Sequence, residues 1–256
     1  MIELVGATVT AYAPAGADGA VGGAGDPYGT RPGGERVVTL LEPTTCTLTE
    51  RRIAVIGANG SGKSTLARLT NGLALPSAGT VRVNGLDTGR DGAAVRRQVG
   101  FVFTDPDAQL VMPTPVEDVA LSLRRLGLPG GERDERVRAV LTRFGLADRA
   151  EQPVHALSAG QKQLLALAGV LATEPTVLVC DEPTTLLDLR WQRVVDELIE
   201  SLEQQVLLVT HDLDAAARAD RVLVVDRARV VFDGDPSAAV EHYVGLMAST
   251  VDERRR

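Results

Sequence analysis

The 256-residue chain sets 27 Lys and Arg against 34 Asp and Glu, and a net charge of −7 argues against a nucleic-acid partner, which needs a basic face. Hydrophobic content of 44% permits a substantial core, and aromatic content of 3% makes that core mostly aliphatic. Two cysteines, Cys46 and Cys180, and three histidines argue against a disulfide framework and a structural metal cluster. With no apolar run of 18 residues and no signal peptide, any membrane role is expected to come through a partner.

In chain order, Ile2 to Tyr12 alternates loosely and predicts an edge strand. Residues 13–36 hold 8 Gly together with Pro14, Pro27 and Pro32, and predict a flexible insertion. Its Gly-Gly-Ala-Gly run has no strand before it, no helix after it and no Lys, so it is no nucleotide loop. Arg36 to Leu41 resumes strand character.

The chain is organised around Arg52 to Thr65. Ile53 to Ile56 is a short β-branched apolar run, read as a buried strand. It enters Gly57-Ala58-Asn59-Gly60-Ser61-Gly62-Lys63-Ser64-Thr65, a complete phosphate-binding loop, and a helix is expected over Leu66 to Leu75. The glycines let successive N–H groups curl toward phosphate oxygens, and the helix N-terminus adds partial positive charge. Lys63 supplies a compact cation and Ser64 a hydroxyl for Mg²⁺. Only Lys63 and Lys162 are lysine in this chain, so Lys at 63 reflects a chemical requirement: a planar guanidinium would not replace a point charge inside a tight loop.

Strands are expected at Gly79 to Asn84 and Val99 to Phe103. From 106 to 173 the character turns helical, with periodic stretches at Val116–Leu126, Glu132–Phe144 and Gln161–Ala172. Strands return at Val177–Cys180, Val206–Thr210, Val222–Val225 and Val230–Phe232, with a helix near Arg190–Leu202 and a terminal helix over Pro236–Met247. This predicts an α/β fold with a mostly parallel sheet, an N-terminal antiparallel β portion and an inserted helical subdomain. Asp252 to Arg256 read as a solvated tail.

The apolar run Val177 to Cys180 leads into Asp181-Glu182. A carboxylate at the end of a parallel strand can meet Mg²⁺ held at a neighbouring phosphate loop, which suits Asp181. Glu182 points elsewhere and suits polarisation of an attacking water. Leu157-Ser158-Ala159-Gly160-Gln161 precedes another helix; from spacing alone it reads equally well as a capped helix and as an anion site.

Together these motifs resemble the ATP-binding-cassette (ABC) ATPase family over almost the whole chain, which implies one nucleotide-binding domain over residues 1–256. The resemblance implies that ATP and Mg²⁺ bind, and that Leu157 to Gln161 is the signature motif, with Ala159 where Gly is usual. It implies that Ser158, Gly160 and Gln161 face ATP held by a second ATPase subunit, homo- or heterodimeric, and that Asp188 reaches across that dimer. His211, after the strand Val206–Thr210, matches the switch His at the γ-phosphate, and Tyr12 looks like the aromatic that stacks on adenine, with Tyr28 as its competitor. His155 and His242 read as ordinary.

Phe103-Thr104-Asp105-Pro106-Asp107-Ala108-Gln109, followed by Glu117-Asp118, resembles the energy-coupling-factor branch, whose members drive uptake of vitamins and transition-metal ions. That implies docking on a transmembrane T component with a substrate-binding S component, at the cytoplasmic face of the membrane, with biotin, cobalt or nickel as leading cargoes. Another transporter branch and a soluble cassette protein are the alternatives. Thr104 stands where the family's Gln is expected. Contact with the membrane subunit is then expected from Asp105 to Gln109, with Thr104 reaching at most a metal-bound water.

Overall fold

The computed structural model describes residues 1–14 and 35–253. Two sheets carry the fold. The first is antiparallel, with strand order β2-β1-β4-β5: β1 (Ile2–Pro14), β2 (Glu35–Leu48), β4 (Ala78–Val83) and β5 (Leu86–Asp87). The second has order β10-β9-β3-β8-β7-β6 and is parallel except for β10. Its strands are β3 (Arg52–Ile56), β6 (Val99–Val102), β7 (Val177–Asp181), β8 (Gln205–Val209), β9 (Arg221–Asp226) and β10 (Arg229–Gly234).

The helices are α1 (Lys63–Leu69), α2 (Gly92–Gln98), α3 (Pro115–Leu123), α4 (Gly130–Arg143), α5 (Ala159–Leu171), α6 (Leu189–Ser201), α7 (Leu213–Ala217) and α8 (Pro236–Glu253). The α/β fold, with its antiparallel portion and helical insert, is as the sequence predicts. No helix among the described residues is long and apolar enough to cross a membrane.

The parallel strands are continuous apolar runs because both their faces are covered; β6 and β7 are buried at every residue. Side-chain alternation divides them between cores. Ile53 and Val55 of β3, Val177 and Val179 of β7, and Leu223 and Val225 of β9 join a core shared with Ile2, Leu4 and Val83 of the antiparallel sheet. Leu178 and Cys180 face a second core with Leu165, Leu167 and Val195 of the helices, and Ala54 and Ile56 face a third with Ala216 and Ala239. The edge strand β10 alternates exposed and half-buried residues, as one-sided packing demands.

Several boundaries differ from expectation. Strands β1 and β2 stay paired to Pro14–Glu35 and Ala13–Arg36, so the insertion does not begin at 13 or end at 36. The rest of it, including Tyr28, lies outside the described residues. Strand β2 runs past Leu41 to Leu48 because register shifts between Leu4 and Val9 absorb the irregularity, with Gly6 at φ +57 and its N–H donating to Thr45 Oγ1. Helix α1 starts at Lys63 and stops at Leu69: Thr70 Oγ1 donates to the Ala67 carbonyl and Gly72 takes φ +73, which breaks the helix before Leu75. Helix α8 continues through Asp252 to Glu253, since no Pro or Gly follows Gly245 to stop it; 254–256 lie outside the described residues.

Candidate active site

The phosphate loop links β3 to α1 and is folded against the β9–β10 hairpin. A Cβ on Gly57 would lie 2.0 Å from the Val225 carbonyl oxygen, and one on Gly62 2.7 Å from that of Leu40, so backbone occupies the space a side chain would need. The hairpin reaches up to the loop: the Ala228 N–H donates to the Ser61 carbonyl at 2.8 Å. Gly60 takes φ +73 in open space, and Asn59 beside it is exposed. Ser61 Oγ is buried with no hydrogen-bond partner among the described residues, a polar atom left ready for an oxygen ligand.

Lys63 is buried at the first turn of α1, and Thr65 is half-buried two residues on. The Lys63 ammonium donates to the Gly57 and Ala58 carbonyls at 2.8 and 2.9 Å and lies 3.9 Å from Glu182 Oε1. Burial pulls its pKa below the ordinary lysine value, and the nearby carboxylates of Glu182 and Asp181 oppose that shift.

Ser64 Oγ donates to Asp181 Oδ1 at 2.8 Å, and Arg68 Nη2 lies 3.6 Å from Asp181 Oδ2. Burial raises the Asp181 pKa; the Ser64 hydrogen bond and Arg68 work against this. A hydroxyl and one carboxylate converging beside a phosphate cradle suit Mg²⁺, which takes few protein ligands and completes its shell with water and phosphate. No group of three or more His, Cys, Asp or Glu that could hold a metal ion gathers among the described residues.

Glu182 follows with φ +53, the left-handed region a non-glycine residue rarely adopts. That turn separates the two adjacent carboxylates. Glu182 Oε1 lies 2.7 Å from His211 Nε2, and Oε2 accepts from Thr185 Oγ1 at 3.3 Å. Lys63, Ser64, Asp181, Glu182 and His211, drawn from α1 and the ends of β7 and β8, therefore form one cluster.

A second group is held separately. Ser158 caps α5 in a full capping box: its Oγ accepts from the Gln161 N–H at 3.3 Å, and Gln161 Oε1 accepts from the Ser158 N–H at 2.9 Å. Gly160 lies under Trp191, whose ring a Cβ would meet at 2.1 Å. Asp188 caps α6, its Oδ1 accepting from the Arg190 and Trp191 N–H groups at 3.0 Å. The hydrogen bonds and ion pairs of the described residues do not connect this group to the first. Tyr12 is exposed on β1 opposite Val37.

Sequence reasoning missed two participants, Arg68 and Trp191, and for Thr104 it missed the partner. Thr104 Oγ1 donates to the Asp181 carbonyl at 2.7 Å, which commits its hydroxyl proton to the end of β7. Gln109 Oε1 accepts from the Phe103 N–H at 3.2 Å and braces the loop from within. Asp107 pairs with Lys162 of α5 at 2.7 Å, while Asp118 Oδ2 accepts from the Val111 and Met112 N–H groups. Chain spacing signals none of these.

Comparison with known proteins decides the family. Residues 43–185 match the family model described as ABC transporter. This chain belongs to the ABC transporter family. It is similar to a Bartonella henselae protein provisionally named as an ABC transporter ATP-binding protein (50% identity over 209 residues, 82% of this chain and 92% of that one). It is also similar to the biotin transport ATP-binding protein BioM of Rhizobium etli (44% identity, 81% and 92%) and the energy-coupling factor transporter ATP-binding protein EcfA1 of Halalkalibacterium halodurans (40% identity, 78% and 74%). Among solved structures it is similar to CbiO1 of Clostridium perfringens, part of the ABC transporter complex CbiONQ (30% identity, TM-score 0.73, 95% and 92%). A further neighbour is the cassette MJ0796, a dimer with ADP and Pi bound (25% identity, TM-score 0.73, 92% and 99%). The protein is an ABC ATPase that binds ATP.

Proposed function

We propose that this ATPase powers an energy-coupling-factor importer, with a vitamin such as biotin or a cobalt or nickel ion as cargo. Relatives named for biotin transport and for the energy-coupling factor support that branch. The observation that carries the chemistry is the divergence at the end of β7, where Asp181 meets Ser64 and Glu182 turns to His211.

On this reading Gly57, Asn59, Gly60, Ser61, Gly62, Lys63 and Thr65 wrap the phosphates, and Tyr12 meets adenine. Ser64 and Asp181 would hold Mg²⁺, which would supply positive charge to the phosphates. The loop's own carbonyls hold the Lys63 ammonium beside the phosphate cradle. Glu182 accepts a proton from the attacking water, and His211 orients Glu182 while facing the γ-phosphate. Ser158, Gly160, Gln161 and Asp188 serve a second subunit's nucleotide, so ATP binding closes a dimer and hydrolysis opens it. That motion reaches the cargo through the T and S components, at the cytoplasmic face of the membrane.

The test has two arms. Glu182→Gln keeps size and hydrogen bonding and is expected to bind Mg-ATP, stay dimeric in size-exclusion chromatography and hydrolyse at least about a hundredfold more slowly. The tagged chain purified from native membranes is expected to bring a T and an S component, and the purified complex is expected to take up biotin, Co²⁺ or Ni²⁺. Wild-type hydrolysis in Glu182→Gln removes Glu182 from its role; recovery of a wholly soluble chain, with those subunits present in the cell, refutes the importer.

A further inference from the structure

The peptide that joins Asp181 to Glu182 is gripped from both sides. Its carbonyl, on Asp181, accepts from Thr104 Oγ1 at 2.7 Å. Its N–H, on Glu182, donates to the Val209 carbonyl at 2.9 Å. The grips come from the two strands flanking β7: Val209 ends β8, and Thr104 lies just beyond β6.

On the β8 side the ladder extends to the pair Asp181–Val209. On the β6 side it stops at Val102–Cys180, one residue short, and the Thr104 hydroxyl supplies the donor that the ladder no longer provides. The very next residue, Glu182, holds φ +53, a conformation that persists in a non-glycine residue only when its surroundings over-determine it.

Thr104 is itself held by its own loop. The Phe103 N–H before it donates to Gln109 Oε1, Asp105 Oδ1 accepts from the Asp107 N–H at 3.0 Å, and Asp107 is paired to Lys162. We propose that Thr104 is a positioning residue for hydrolysis, whose hydroxyl fixes the Asp181–Glu182 peptide and so the divergence of the two carboxylates. The proposal rests on the reading of Glu182 as the group that activates water.

Thr104→Val keeps the branched shape and removes the donor. With the full-length protein, kcat is expected to fall about three- to tenfold, as loss of one neutral hydrogen bond implies, while KM for ATP stays within about twofold. Thr104→Ser restores the donor and is expected to recover kcat to within about twofold of wild type. A bond with a merely structural role would lower the melting temperature of Thr104→Val and leave kcat of the folded protein unchanged. Wild-type kcat in Thr104→Val, or a Thr104→Ser as slow as Thr104→Val, overturns the proposal. Glu182→Gln run alongside separates the two failures: if it hydrolyses ATP normally, the reading of Glu182 falls; if it is inactive while Thr104→Val turns over normally, only the positioning role falls. Should Thr104→Val not fold, Thr104→Ala against Thr104→Ser carries the same comparison.

Discussion

Gly160→Ala tests whether this glycine is required by packing inside one chain before any partner is considered. An added Cβ would lie 2.1 Å from Trp191 Cδ2, 2.2 Å from Cγ and 2.6 Å from Cε2. These atoms belong to the body of the ring near its root, so the whole indole must swing away. Overpacking of this kind costs about 1–3 kcal/mol, and replacing Gly by Ala in a helix returns up to about 1 kcal/mol, less in the first turn. The net destabilisation is about 0.5–2 kcal/mol, or roughly 1–8 °C in Tm for a chain of this size. Trp191 is the sole tryptophan in the chain, so its fluorescence reports the displacement directly. The expected result is a lower Tm with shifted emission, and Tm recovered in the double variant Gly160→Ala/Trp191→Leu. A Gly160→Ala protein that melts and emits like wild type refutes the packing argument.

Lys63→Ala removes the cation held by Gly57 and Ala58, and is expected to weaken Mg-ATP binding at least about tenfold by calorimetry, the order of one buried charge-assisted contact; affinity within about twofold of wild type refutes its role. Asp196 lines a cavity of about 40 Å³ with Ile53, Ile199, Leu208 and Arg218, and burial, then Asp212, push its pKa up to about 6. Because the folded state binds that proton more tightly than the unfolded chain, stability is expected to fall as pH rises from about 4 to about 6. Asp196→Asn should then be more stable than wild type above pH 6 by about 1–2 kcal/mol, discounted for solvent screening, and equal to it near pH 4; a gain that does not change with pH contradicts this.

What the sequence determined by itself was everything carried by contiguous residues. The phosphate loop, the apolar run ending in Asp181-Glu182 and the capped start of α5 are local patterns, set by spacing along the chain. The parallel strands were legible because burial on both faces leaves unbroken apolar runs. The elements that escaped were short: β5 spans Leu86–Asp87, α2 Gly92–Gln98 and α7 Leu213–Ala217, too few residues to show a clear period and stable only through packing. The tertiary structure alone decided which side chains converge. Thr104 meets Asp181 across 77 residues and Lys162 meets Asp107 across 55, whereas the meeting of Asp181 with Ser64 was expected from their motifs. A hydrogen bond depends on distance and angle in space, and neither can be read from positions so far apart in the chain. The same holds for Glu182: its identity suggested a base, but the left-handed backbone that turns it from Asp181 toward His211, and the bonds from Thr104 and Val209 to the peptide before it, are visible only in the fold.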